Sequence, residues 1–345
     1  MFAKKLLAVT LSVVLAVVVA EGVVRALDLA PQVSFIEKGR FRLSRNPHIG
    51  YEPVPDLAYD GTDLSFFDYT GASNSLGYRD REHPVAKPLG TWRVVVIGDS
   101  IAAGLKVERF QDTLPPLLES ELVASGVPAE VISLAVSGYN TRQEVATLEE
   151  KGLAFSPDLV VVAYSLTDRE LVDGGILATL IQEERGAEGI DASELAHTRV
   201  HPVLARSALY RALRFRVLPP PSPNPRLVRG YEELLEGEDT VAPSMAHLAD
   251  LAARHGFEVA VAVFPRLVRD FRRYRFAEEH RFVEEITARH GFLFVDLLPA
   301  FAACRQPTGE SLRLDHFHPS ATGHRCAAEA VATAIVEGLA PPTGR

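Results

Sequence analysis

The chain has 345 residues, 47% of them apolar and 23% charged, with a formal net charge of −9. That is enough for one large α/β domain with additions and a properly buried core. The acidic balance excludes a general nucleic-acid binder, whose electrostatic footprint would be basic.

In chain order, Lys4 and Lys5 precede an apolar run from Leu6 to Ala20 interrupted only by Thr10 and Ser12. A cationic start followed by such a run is a targeting pattern. Apolar character resumes at Val23, Val24 and Leu27, which brings the segment to about the length of a spanning helix. Residues 1–27 are therefore expected to form a signal anchor in the cell inner membrane, with the rest of the chain periplasmic. The alternative is secretion after cleavage near Val18-Val19-Ala20. Residues 28–90 turn into short pieces rich in proline, glycine and aromatics, such as Asn46-Pro47-His48-Ile49-Gly50-Tyr51 and Asn74-Ser75-Leu76-Gly77-Tyr78-Arg79. They read as turns and short hairpins, and Phe66, Phe67 and Tyr69 argue against complete disorder.

Residues 91–340 alternate regularly. A β-branched run from Arg93 to Ile97 ends at Gly98 and predicts a strand buried on both faces. Helices are expected around Leu117 to Ser125, Gln143 to Lys151, Met245 to His255 and Ala277 to His290, each followed by a glycine. Strands are expected from Glu130 to Val136, Leu159 to Tyr164, Glu258 to Phe264 and Phe292 to Leu297. Five strands in this order suit a flavodoxin-like, three-layer α/β/α fold with a parallel sheet. An insertion over about 169–240, with amphipathic segments Leu177 to Gln182 and Leu204 to Val217 and a proline-rich link, is placed to roof the ligand edge of the sheet as a lid.

Asp99-Ser100 sits at the carboxyl end of the first strand of this sheet, the edge where open α/β sheets bind ligands, which makes Ser100 a candidate nucleophile. A serine hydroxyl needs a base, and the base an orienting group. Asp315-His316-Phe317-His318-Pro319 supplies both: Asp315 is three residues from His318, and Pro319 suits the first position of a helix running to Ile335. His316, His318 and His324 lack the carboxylate or cysteine company of a metal site, so neither metal nor cofactor is expected. Arg266, Arg269, Arg272, Arg273 and Arg275 cluster after the fourth strand as a solvated face or an anion contact.

These blocks resemble the SGNH (GDSL) hydrolases, whose members are esterases, lipases, deacetylases and some acyltransferases. Gly98-Asp99-Ser100 resembles the first block, Ser137-Gly138-Tyr139-Asn140-Thr141 the second, and Asp315, His318 and Pro319 the last. Where family members usually read Gly-x-Asn-Asp, this chain has Ser165-Leu166-Thr167-Asp168, so Thr167 stands in the place of an oxyanion-binding asparagine. The resemblance implies Ser100, His318 and Asp315 as a catalytic triad. It implies an oxyanion hole from Ser100, Gly138 and Thr167, and Asp99, Asn140 and Asp168 are carried as substrate contacts. It also implies that 28–90 form an ordered collar, as in membrane-anchored relatives. The expected function is an exported serine esterase or deacetylase acting on a small-molecule, glycan or lipid ester. Transfer of the acyl group to a sugar hydroxyl, or a binding protein that has lost its chemistry, are the alternatives. Cys304 and Cys326 bracket Asp315 and His318, either as a bridge or as two free thiols.

Overall fold

The runs of valine and isoleucine around Val95, Val161 and Val261 form the three central strands of a five-stranded parallel sheet in the computed structural model of the protein. The residues described are 2–27, 40–59, 71–169, 176–177, 180, 207–213, 240–268, 270–304 and 310–342. The first helix, α1 (Phe2–Ala26), precedes two antiparallel pairs, β1 (Phe41–Leu43) with β2 (Tyr51–Pro53) and β3 (Ala58–Tyr59) with β4 (Gly71–Ala72). Then come β5 (Trp92–Gly98), α2 (Leu114–Ala124), β6 (Ala129–Ser133), α3 (Thr141–Glu150) and β7 (Leu159–Ser165). After α4 (Ala208–Ala212), the chain continues through α5 (Val241–His255), β8 (Glu258–Phe264), α6 (Ala277–His290), β9 (Leu293–Asp296), α7 (Leu298–Ala303) and α8 (Ala321–Leu339).

The sheet order is β6-β5-β7-β8-β9, which is the 2-1-3-4-5 order of a flavodoxin-like fold. Side chains alternate across each strand, so β5 sends Val95 and Ile97 to one face and Val94 and Val96 to the other. The first face packs on α3, α5 and α6 through Val145, Leu148, Leu248, Leu251, Val283 and Ile286. The second packs on α2 and α8 through Leu118, Leu122, Ala327, Val331 and Ile335. Each buried valine, leucine or isoleucine contributes about 1.5–3 kcal/mol of transfer free energy, so the two apolar layers dominate stability.

Order reverses between β5 and β7, where the chain leaves β5 in opposite directions along the sheet. The crevice at the carboxyl ends of those two strands is the topological switch point. Ser100 follows β5 directly.

The collar expectation meets a packed segment over 40–59 and 71–83. Tyr51 donates its hydroxyl to the Ser137 carbonyl at 2.9 Å, and Gln143 Nε2 donates to the Ile49 carbonyl at 2.7 Å. Asp80 Oδ2 accepts from Ser133 N at 2.7 Å, and Lys151 pairs with Glu52 at 2.6 Å. Phe66, Phe67 and Tyr69 lie outside the described residues.

One expectation changes, and two others reach beyond what the described residues show. Pro319 is not the first helical residue: Ser320 caps α8 by accepting from Gly323 N, and Pro319 stays extended, bridged to Arg313. The polar hydroxyl wins the cap because it satisfies an orphan N–H that proline cannot serve. Of the lid, only 169, 176–177, 180, 207–213 and 240 are described, including α4, so the roofing expectation falls mostly outside the described residues. Among the described residues no helix is long and apolar enough to cross a membrane. The apolar side chains of α1 between Leu11 and Val19 are nevertheless exposed, and Glu21 further along accepts from Ser207, Ala208 and Leu209 at the start of α4.

Candidate active site

The turn that presents Ser100 is possible because β5 ends in glycine. A Cβ on Gly98 would meet the Ala102 Cβ at 2.7 Å and the Ala163 Cβ at 3.1 Å, so only glycine lets the following loop pack down on β7. The loop is tied by Ala103 N to Asp99 O and Leu105 N to Ser100 O at 3.1 and 2.9 Å. It then passes through Lys106, whose φ of +67° is left-handed. A side chain in that region costs about 1–2 kcal/mol, so its position is held by surrounding contacts.

Those contacts come from the collar. Arg79 is buried, and its guanidinium donates to the carbonyls of Ala103, Gly104, Val107 and Glu108 at 3.3, 2.7, 2.7 and 3.0 Å. One cation thus gathers four carbonyls on either side of Lys106.

From the other end of the chain, the turn Asp315–His318 closes on itself. Asp315 Oδ1 accepts from the backbone N–H groups of Phe317 and His318, both at 2.8 Å. The His318 Nδ1 lies 2.9 and 2.8 Å from the two Asp315 oxygens, and its Nε2 lies 2.9 Å from Ser100 Oγ. Asp315 also takes an ion pair at 2.5 Å from Lys106 Nζ. Burial alone would raise the Asp315 carboxyl, but hydrogen bonding and charge from His318 and then Lys106 hold it far below the usual carboxylate range. An ionised Asp315 fixes the proton on Nδ1, which leaves Nε2 free to accept from the serine hydroxyl. Phe317 is itself covered by Arg266, whose guanidinium carbon sits 3.8 Å from the ring centroid. Within the arginine cluster, Arg269 is outside the described residues, while Arg272 is exposed and paired with Asp270 at 3.0 Å.

The second block runs beside the first because Val136 N donates to Gly98 O at 3.0 Å. Gly138 has φ of +82°, a conformation that turns the chain sharply without strain. Neither the Ser100 nor the Gly138 N–H donates to a partner among the described residues, so both remain available for a developing negative charge.

Thr167 is differently engaged. Its Oγ1 lies 2.6 Å from Ser165 Oγ, and Ser165 in turn hydrogen-bonds Asp99. The threonine hydroxyl is thus part of a protein hydrogen-bond chain.

The three expected substrate contacts are placed otherwise than expected. Asn140 caps α3, its side chain accepting from Gln143 N while Gln143 reaches back to Asn140 N. Asp99 accepts from Ile101 N at 2.7 Å, and Asp168 accepts from Thr141 at 3.3 Å. All three are buried, at 5%, 5% and 0% exposure, so they support the site from behind and do not line an open surface. Glu144 joins this layer with neither carboxyl oxygen partnered among the described residues. Burial above all, then the Asp99 charge, pushes Glu144 well above the usual carboxylate range; Asp168 is raised by burial and by Glu144 and Asp99. Asp99 is also raised, by burial, against hydrogen bonds and the His318 charge. The three acids interact in a medium that solvates charge poorly, so each makes ionisation of the others harder.

Sequence reasoning did not single out Lys106 or Arg79. Neither lies in a catalytic block, and the one cue is that Arg79 closes a short turn-rich piece, Asn74-Ser75-Leu76-Gly77-Tyr78-Arg79. Nor does spacing disclose Glu144, which reads as one polar residue of an amphipathic helix.

Residues 96–326 match the model of the GDSL-like lipase/acylhydrolase family. Among solved structures, an acetylxylan esterase from Geobacillus stearothermophilus, Axe2, is 17% identical, with 70% of this chain and 93% of that one aligned at a TM-score of 0.42. The acetyl xylan esterase AlAXEase is 14% identical over 70% and 99% of the two chains, with a TM-score of 0.41. TesA is 16% identical over 70% and 97%, with a TM-score of 0.40. No curated protein matches the chain.

Proposed function

The chain belongs to the GDSL-like lipase/acylhydrolase family, and from that premise we propose that it is a serine hydrolase that cleaves an ester through an acyl-enzyme. The observation that carries this reading is the unbroken chain from Ser100 Oγ to His318 Nε2 at 2.9 Å and from Nδ1 to Asp315 at 2.8 Å. In the first step the Ser100 oxygen attacks the ester carbonyl while His318 takes its proton. The Ser100 and Gly138 N–H groups receive the oxyanion. Collapse of the tetrahedral species expels the alcohol, which leaves with the proton returned by His318. Water then repeats the sequence and frees the acid, regenerating Ser100. The Thr167 hydroxyl is shared with Ser165 at 2.6 Å and either can be the donor, so this reading rests the hole first on the two backbone groups.

Labelling by a fluorophosphonate probe tests this directly. The wild type is expected to form a stable adduct at Ser100, and Ser100→Ala none. A wild-type protein that stays unlabelled while a known serine esterase reacts would remove the basis of the proposal.

We also propose that the catalytic domain works outside the cytoplasm. Support comes from the cationic, apolar α1 sequence and from the bridge between Cys304 and Cys326, whose Cα atoms are 6.1 Å apart, since disulfides persist in oxidising compartments. Non-reduced, alkylated protein recovered from the periplasm is expected to carry no alkyl group on either cysteine. Two alkylated cysteines would contradict export with a bridge.

A further inference from the structure

Lys106 is the feature of the site that the family chemistry leaves without a task. Its amine reaches Asp315 across 209 residues of sequence, onto the oxygen that the backbone N–H groups of Phe317 and His318 do not occupy. The pair is mostly shielded, with side-chain exposures of 26% for Lys106 and 5% for Asp315, so solvent weakens it little. Lys106 also sits in a left-handed conformation that glycine would adopt freely, and the buried Arg79 clamps the carbonyls of Gly104 and Val107 on either side of it. A strained, externally clamped residue whose side chain ends on a triad member is a conformation retained for its side chain.

We propose that Lys106 is a positioning residue for the triad: it fixes the Asp315 carboxylate against His318 and, by competing for its negative charge, keeps the imidazole in the neutral form that acts as base. The collar takes part through Arg79, which holds the loop that delivers the amine. The proposal rests on the esterase reading for its consequence in turnover, but the geometry and its proton equilibrium can be tested without turnover.

The sign follows from charge. Lys106 and a protonated His318 are both cations facing one carboxylate. Removing the amine leaves Asp315 to stabilise the imidazolium alone, so protonation of the ring becomes easier. Other charged groups face His318 as well: Asp99 and His324 interact with it, and Arg79 acts on His324. Arg266 stacks on Phe317, whose ring centroid is 6.4 Å from the imidazole. None of these is changed by a substitution at 106.

Lys106→Gly is the decisive variant because it removes the amine while relieving the backbone. A purely structural lysine would therefore be replaced without loss. Rates of fluorophosphonate labelling between pH 5 and 9 are expected to show the acid limb of Lys106→Gly displaced upward by about 1 pH unit, with the plateau lowered about threefold to tenfold. Lys106→Arg is expected to restore the limb. In parallel, the NMR titration of the His318 ring proton is expected to move upward in Lys106→Gly by the same interval. Coincident limbs and coincident ring titrations in wild type and Lys106→Gly would overturn the proposal. If the wild type does not label at all, the esterase reading fails alone, and the ring titration still decides the role of Lys106.

Discussion

Asp315→Asn is expected to lower turnover by about 10⁴-fold with little change in the fold. Asparagine is the same shape, and its oxygen can still accept from Phe317 N and His318 N, as Asp315 Oδ1 does at 2.8 Å. Its amide nitrogen would then take the place of Oδ2, facing His318 Nδ1 and Lys106 Nζ. Three donors cannot share that space without one giving way. The imidazole escapes by carrying its proton on Nε2, which turns the base into a donor toward Ser100. The serine proton then has no acceptor. Turnover of a small ester, with circular dichroism as the control for folding, checks this. A variant within tenfold of wild type would mean that Asp315 does not set the tautomer. Lys106 sharpens the case, because an ammonium beside a neutral amide has lost its ion pair as well.

The second large effect concerns acid stability and lies at His324 on α8. The residue is buried and neither ring nitrogen has a partner among the described residues. Burial, then the positive charges of His318 and Arg79, lower it to about 3. In the unfolded chain a histidine titrates near about 6.5, so on acidification the unfolded state takes up its proton first. Stability from this group is complete above that value and is lost as pH falls toward 3. Between pH 7 and pH 4 the loss is about 3 kcal/mol. Asp315, held low, begins to matter only below the ordinary carboxylate range, about pH 4. Asp99, Glu144 and Asp168 act in the opposite sense: their raised carboxyls contribute stability at low pH that is lost as pH rises. The comparison with His324→Met therefore isolates the histidine. Urea unfolding at pH 7 and pH 4 is expected to show wild type losing about 3 kcal/mol more than the variant over that interval. Parallel curves would show that His324 is not buried neutral.

Much of this architecture was legible in the chain because the signals are local. Strands such as Leu159–Ser165 and Glu258–Phe264 are short β-branched runs, and glycines 256 and 291 end helices in left-handed turns. That Ser100, His318 and Asp315 would come together was readable for a related reason, since each sits beside an element boundary that has its own residues. What could not be read depends on side chains that travel. Lys106 and Asp315 meet only through the fold, and Arg79 finds its four carbonyls in a loop 24 to 29 residues ahead. Asn140 looked like a site residue because it lies two positions after Gly138. The cap of α3 claimed it, since an unpaired buried N–H costs more than a lost surface contact. Asp99, Glu144 and Asp168 converge from a strand end, a helix and a loop, and no periodicity brings them together on paper.

Ser100 and His318 stand 218 residues apart in the sequence. A ribosome adding about 5–20 residues each second would thus release the serine about 10 to 40 s before the histidine is made. Throughout that interval the nascent polypeptide contains the proposed nucleophile with no histidine beside it, and Lys106 with no Asp315 carboxylate to meet. On the proposed mechanism, any product that stops short of Asp315 is expected to be inert, whatever of the sheet it has managed to assemble. The Ser100–His318–Asp315 contact waits for the segment that carries Asp315 and His318, just ahead of the helix that closes the second apolar layer.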